Sequence, residues 1–340
     1  MKHFTKTVAQ LNALADDGIV PGINYLLFQG QESIWETRGF AQTWPVPEIL
    51  TPDMQYDLAS LTKVLGTVPV IMMLVQEGKI AIDDPVQKYL PEFGDARPTI
   101  RHLLTHTSGI SGYIPHRDQL SPQELKRAFL SQQRVDSSFN RQIRYADVNF
   151  LYLGWIIEAV CRQPVQTVIT ERVLRPLGLA GATFHPAADR CVPTEIQPGR
   201  GLIRGSVHDP KAFILGAHCG CAGLFASMED LEQFSHALIE TNLAGLLTSK
   251  TVDCLFRDQT PLSGPHSRSF GWKLLHSRAA DRHLLISHTG FTGTWMILDR
   301  QTDQGMIVLT NRVHPTAKNQ AYLDRRDHIF ASYLAEMQTA

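Results

Sequence analysis

The sequence predicts an α+β protein: one antiparallel sheet built from both chain ends, flanked by N- and C-terminal helices, around a large, mainly helical insert. Three observations carry that prediction. Strand-like apolar runs follow Pro21-Gly22 and recur between positions 270 and 310, and helical periodicity dominates between them. No Pro/Ser-rich linker separates the parts, so strands from opposite ends of the chain share one sheet. The 340 residues read as a single domain, with an α/β lobe at about 1–60 and 265–340 and a helical lobe at about 61–264.

Each element has a local reason. After Met1-Lys2-His3-Phe4, Val8, Leu11 and Leu14 recur at helical spacing. Ile23 to Phe28 is a strand, Gln29-Gly30-Gln31-Glu32 a turn, and Ser33 to Gly39 the returning strand. Leu61, Val64, Leu65, Val68, Ile71, Met72 and Val75 follow the helical rule until Gly78. Pro69 inside that run predicts a kink, because an interior proline otherwise costs roughly 3 kcal/mol. Asp84-Pro85 opens a short helix, Thr99 caps 100–105, and Ser227 with Asp230 caps 231–239. Leu151 to Val160 is an apolar helix. Residues 270–276, 283–287, 294–299 and 305–310 are strands. A last helix places Tyr322, Ile329, Phe330, Tyr333 and Met337 on one buried stripe.

Composition excludes several functions. Net charge is −1 and no basic run occurs, which argues against a nucleic-acid partner. No apolar stretch reaches the roughly 18 residues of a transmembrane segment, and the N-terminus lacks the continuous apolar core of a secretory signal. The expected location is therefore the cytoplasm, unless a leader has been removed. The five cysteines are widely spaced and odd in number, which is not a disulfide framework. The sequence carries no signal of oligomeric state.

Three segments carry chemistry. Ser60-Leu61-Thr62-Lys63 is a Ser-x-x-Lys at the head of a helix, where Lys63 rises beside the Ser60 hydroxyl one turn on. An amine held there can take the hydroxyl proton and make the serine a nucleophile. Arg144-Tyr145-Ala146-Asp147-Val148-Asn149 is a polar cluster leading into the 151–160 helix. Ser287-His288-Thr289-Gly290-Phe291-Thr292-Gly293 closes a strand with glycines that admit a ligand to the backbone. Each has a bland counterpart. A chain of this length contains roughly one Ser-x-x-Lys by chance, Tyr145 reads as a helix-start core residue, and His288 as a strand-end surface residue.

Together, in this order, the three segments resemble the serine β-lactamase and penicillin-binding-protein superfamily, closest to its class C, DD-peptidase and esterase branch. The stretches 102–109, 205–209 and 222–225 resemble the same branch, and the likeness covers roughly residues 5–335. The resemblance implies a β-lactamase/transpeptidase-like fold and a small-molecule or short-peptide substrate. It implies Ser60 as the acylated nucleophile, Lys63 and Tyr145 as its activating groups, and the backbone N–H groups of Ser60 and Phe291 as the oxyanion hole. His288, Thr289 and Gly290 would line the opposite wall. Neither a cofactor nor a metal is implied. At the helix start, the dipole's positive end favours neutral Lys63.

Two departures from the branch pattern matter. Asp147 stands where Asn is commoner, and a carboxylate beside Lys63 favours the ammonium and so favours Tyr145 as proton acceptor. Asn149 points elsewhere, two residues along a helix start. His288 replaces the commoner Lys and is mostly neutral at pH 7, which weakens β-lactam hydrolysis as the natural task. Arg312 is the candidate for a substrate carboxylate, its alternative being a solvated loop arginine.

Rival readings carry less. His102 and His106 are four apart, but the zinc motif's glutamate is missing, and His106 reads as a structural residue bonding a neighbouring loop. No Gly-x-Ser-x-Gly elbow occurs; His208 and Asp209 read as braces for the loop carrying Gly205. A non-catalytic binding or scaffold protein rests on Asp147 alone. The expected activity is hydrolysis of small esters, amides or D-amino-acid peptides, with weak or absent β-lactamase activity; a DD-peptidase or true β-lactamase is the alternative.

Overall fold

The computed structural model describes residues 4–337; Met1 to His3 of the N-terminal segment and residues 338–340 lie outside it. Helix α1 (Thr5–Asp16) leads into strands β1 (Gly22–Gln29), β2 (Glu32–Gln42) and β3 (Glu48–Ile49). The sheet is completed by β4 (Lys273–His276), β5 (Leu284–Thr289), β6 (Trp295–Asp299) and β7 (Gln304–Thr310). Its order is β4-β5-β6-β7-β1-β2-β3, so the first and last thirds of the chain meet where β1 pairs antiparallel with β7.

Period-two alternation gives that sheet two buried faces. Tyr25 pairs with Val308 and Val308 with Trp295, and this face packs against α1 and the C-terminal helix α6 (Gln320–Glu336). Leu26, Ile307 and Met296 form the other face and join the core of the helical insert. Burial on both sides explains why β1 reads as a continuous apolar run and not as an alternating one.

The chain ends are tied by charge as well as packing. The Glu336 carboxylate accepts from the Lys6 and Thr7 N–H groups, each at 2.8 Å, and from Thr7 Oγ1 at 2.7 Å. It thus satisfies donors that the first turn of α1 cannot pair internally. Phe4 stacks on Tyr333 beside it, ring centroids 5.3 Å apart.

The insert departs from expectation at one place. A π-helical turn over Lys63–Thr67 replaces the kink expected at Pro69, with Val68 N–H bonded to the Lys63 carbonyl. Helix α2 (Val68–Gln76) then begins anew, so Pro69 lies in its first turn, where its missing N–H costs nothing. The strand expected over 270–276 starts only at Lys273, because 268–273 forms a tight turn with Ser269 N–H bonded to the Trp272 carbonyl at 2.9 Å. The apolar segment 151–160 lies in α3 (Val148–Cys161), α4 spans Pro210–Leu215, and α5 (Met228–Thr241) opens with the expected Ser227/Asp230 capping box. All five cysteines are free thiols. Among the described residues no helix is long and apolar enough to cross a membrane.

Replacing Glu336 by Ala strips three donors of their acceptor. Urea unfolding is expected to show a loss of about 1–2 kcal/mol. Unchanged stability would mean that water serves α1 equally well.

Candidate active site

Ser60 sits in a turn that its neighbours hold under strain. Ala59 has φ +46°, a left-handed conformation that a Cβ disfavours. Buried Asp57 holds it there: Oδ1 accepts from Ala59 N–H at 2.9 Å and Oδ2 from His208 N–H at 2.7 Å. Burial pushes the Asp57 carboxyl up, and these two N–H bonds pull against that.

Lys63, fully buried, uses all three ammonium donors. Nζ bonds Ser60 Oγ at 2.7 Å, Asp147 Oδ1 at 2.8 Å and the Cys221 carbonyl at 2.9 Å. A charged lysine donates all three bonds, whereas a neutral amine would donate two and accept from the Ser60 hydroxyl. Burial alone pushes Lys63 down, but Asp147 first, then Tyr145 and Cys221, together outweigh it and hold the lysine well above its ordinary range. The same pairing holds Asp147 well below the carboxylate range against the cost of its burial. The helix-start field, expected to favour neutral Lys63, therefore loses to a carboxylate in direct contact. Asp147 occupies the N-cap position of α3 but caps nothing, since its side chain is turned to the lysines.

Lys211 is a partner that sequence reasoning missed. Its Nζ lies 3.3 Å from Asp147 Oδ2 and 2.7 Å from Asp209 Oδ2. Asp209 also caps α4 through the Lys211 and Ala212 N–H groups, both at 2.9 Å. His208 stacks on Phe291 at 5.3 Å and meets Glu195 at 3.0 Å. So His208 braces the Ser60 turn through Asp57, and Asp209 braces the start of α4. The signal lay in Val207-His208-Asp209-Pro210-Lys211: Asp-Pro announces a helix start, and Lys211 follows in its first turn.

Tyr145 is half exposed and presents its ring to Lys63, with Nζ 5.4 Å from the centroid. Ser60 Oγ is bonded by Lys63, whereas the Tyr145 hydroxyl makes no hydrogen bond among the described residues. Beneath it, buried His106 stacks at 4.5 Å, and His106 Nδ1 accepts from Ala146 N–H at 3.3 Å. Burial, followed by the nearby cations Arg268 and Lys63, pushes His106 well below its usual range. Asn149 meets His106 Nδ1 at 3.0 Å and accepts from Ser108 Oγ at 2.5 Å, so its amide is spent away from Lys63.

The opposite wall is bonded to the Ser60 turn. Thr292 Oγ1 donates to the Asp57 carbonyl at 2.7 Å and Thr294 Oγ1 to the Leu58 carbonyl at 3.2 Å. A Cβ at Gly290 would lie 2.6 Å from that same Leu58 oxygen, so only glycine allows the approach. Among the described residues the backbone N–H groups of Ser60 and Phe291 donate no hydrogen bond. Arg312 is not a solvated loop arginine. It is 5 % exposed, donates from Nε to the Phe291 carbonyl at 2.9 Å and covers the Phe291 ring at 4.8 Å. His288 is buried, and burial plus Lys63 and Arg268 push it well below its usual range, so it offers no positive charge.

Cavities flank Tyr145 on both sides. One of about 330 Å³ is lined by Gly109, Arg117, Arg144, Asp147 and Lys211. The other, about 150 Å³, is lined by Arg268, Lys273, Ser287, His288 and Thr289. A larger cavity of about 470 Å³ around Gln55, Arg190 and Gln233 holds none of these groups. His102 bonds Thr99 and, like His106, joins no group of side chains close enough to bind a metal; the described cluster that could is His236, Glu240 and Asp303.

Comparison with known proteins places this arrangement. The family model described as Beta-lactamase matches residues 4–329, and the chain belongs to that family. With it, the chain is a β-lactamase-related serine hydrolase. A protein of Escherichia coli O157:H7, provisionally named D-alanyl-D-alanine carboxypeptidase, is 26% identical over 89% of this chain and 81% of its own length. EstCE1, described as a hydrolase with promiscuous acyltransferase activity, shares the fold at TM-score 0.75, 21% identity, and coverage of 97% of this chain and 99% of its own. The D-amino acid amidase of Ochrobactrum anthropi superposes at TM-score 0.73 with 18% identity, covering 98% of this chain and 100% of its own.

Gly290→Ala tests the closeness of the two walls. Thermal unfolding is expected to show a loss of about 1–3 kcal/mol, the cost of overpacking a tight contact. A melting temperature equal to wild type would show that the wall gives way freely.

Proposed function

We propose that the protein is a serine acyl hydrolase working through a Ser60 acyl-enzyme on small esters, amides or D-amino-acid peptides. One observation carries the reading: a serine that follows the strained Ala59 and whose Oγ is held at 2.7 Å by a buried lysine. A helix-capping serine needs no such partner.

Because Lys63 already holds three acceptors, it cannot take the Ser60 proton without first giving one up. We therefore assign the proton-accepting role to Tyr145, acting as phenolate, because its ring faces Lys63 Nζ at 5.4 Å and its hydroxyl bonds no other described residue. Ser60 Oγ attacks the substrate carbonyl, its proton passes to Tyr145, and the carbonyl oxygen takes the negative charge. The N–H groups of Ser60 and Phe291 receive that oxyanion, and Arg312 holds the following peptide through the Phe291 carbonyl. Collapse of the intermediate expels the alcohol or amine, which recovers the proton from Tyr145. Water then repeats the sequence on the acyl-enzyme.

Peptides with a free carboxylate are favoured by a specific observation. Arg268 bridges to Lys273, which pairs with Ser287, and Thr289 lies two residues on, so all four side chains share one sheet face. Among the described residues neither Arg268 nor Lys273 pairs with a carboxylate, and both line the cavity beside Thr289. They supply the cation that His288 does not. This reading takes the substrate carboxylate away from Arg312.

Intact-protein mass after incubation with a fluorophosphonate is expected to show one adduct, absent in Ser60→Ala; no adduct from any acylating probe would favour a binding or scaffold role. A panel of short-chain esters, D-amino-acid amides, D-Ala-D-Ala peptides and a chromogenic cephalosporin is expected to give ester and D-peptide cleavage with little cephalosporin turnover. Rapid cephalosporin hydrolysis would reverse that ranking. Asp147→Asn removes the charge that favours the Lys63 ammonium. The alkaline limb of its pH–rate profile, where Lys63 loses its proton, is therefore expected to move to lower pH. An unmoved alkaline limb would contradict the charge argument.

A further inference from the structure

We propose that Lys211 is a positioning residue which, through Asp147, sets how readily the Ser60–Lys63–Tyr145 group gives and accepts protons. The inference rests on the acyl-hydrolase reading for its consequence in catalysis, but its electrostatics stands on geometry alone. Four charges alternate in one chain of contacts: Lys63, Asp147, Lys211, Asp209. The links are 2.8 Å from Lys63 Nζ to Asp147 Oδ1, 3.3 Å from Asp147 Oδ2 to Lys211 Nζ, and 2.7 Å from Lys211 Nζ to Asp209 Oδ2. Lys211 is 14 % exposed, so solvent screens it little.

Asp147 thus divides its charge between two lysines. Lys211 draws on the carboxylate oxygen that Lys63 does not use, and its own charge opposes the Lys63 ammonium. Without Lys211, Asp147 would serve Lys63 alone and Asp209 would add an uncompensated negative charge. Both changes favour the protonated form of Lys63. The other groups facing this point are the Ser60 hydroxyl and the Cys221 carbonyl, which bond Lys63 directly, the Cys221 thiol, and His106, His288 and Arg268 packed around Tyr145. The bond to Cys219 and burial push the Cys221 thiol well above its usual range and so keep it uncharged. His106 and His288 are held neutral by burial, and Arg268 stays charged across the working range, so none of them cancels the loss of Lys211.

The test is the pH dependence of Ser60 modification by a fluorophosphonate, followed by intact mass. In Lys211→Met the alkaline limb, where Lys63 loses its proton, is expected to move up by about one pH unit. Lys211→Arg is expected to restore it. Asp209→Asn, which keeps a capping side chain at the start of α4, leaves the Lys211 charge unopposed, and its limb is expected to move down. An unmoved limb in both Lys211→Met and Asp209→Asn, or rates lowered equally at every pH, would overturn the proposal by reducing Lys211 to a structural role. If the wild type forms no Ser60 adduct, the acyl-hydrolase reading fails, and NMR titration of the Lys63 side-chain nitrogen then decides. A higher midpoint in Lys211→Met supports the inference; an equal midpoint overturns it.

Discussion

Everything at this site depends on keeping one ammonium group charged inside the protein. A lysine buried without partners loses its proton, because desolvation of the cation costs several kcal/mol. Lys63 keeps it because three acceptors from three parts of the chain converge on Nζ: Ser60 from its own turn, Asp147 from the start of α3, and the Cys221 carbonyl from the segment after α4. Those elements cannot shift independently without leaving part of the charge unpaired. The fold around the site is therefore specified by the ammonium as much as by apolar packing.

The surrounding architecture serves that geometry. The π-helical turn that begins at Lys63 places the lysine close against Ser60 and lets α2 restart at Pro69 with no lost bond. Asp57 holds the strained Ala59, and the β5–β6 loop is tied to the same turn through Thr292 and Thr294. Strand β5 is fixed within a sheet whose centre, β1 with β7, joins the two ends of the chain. Alignment of the Ser60 and Phe291 peptides thus traces back to contacts across more than 200 residues of sequence.

Much of this was legible before the structure. Long apolar segments with period two or 3.6 gave the sheet and the main helices, because burial imposes those periods directly. Ser60 and Lys63 stand out through spacing, Tyr145, Asp147 and His288 through the family resemblance of the three segments taken together, and the structure brings them together. What could not be read was which partner a charged side chain would find. Lys211 follows an unremarkable helix start, and its pairing with Asp147 is a tertiary contact 64 residues away that no local pattern encodes. Arg312 read as exposed because it ends a strand, yet the Phe291 peptide and ring draw it inward. The π turn escaped notice because its side-chain pattern over a single turn is that of an α-helix.

The account stands or falls on the proton count at Lys63. Neutron diffraction from crystals grown in heavy water near neutral pH reads that count directly. The account predicts three deuterons on Lys63 Nζ, one each toward Ser60 Oγ, Asp147 Oδ1 and the Cys221 carbonyl, with the serine still carrying its own. Two deuterons on Nζ, leaving a lone pair facing a serine that donates to it, would contradict the account and return the role of base to Lys63.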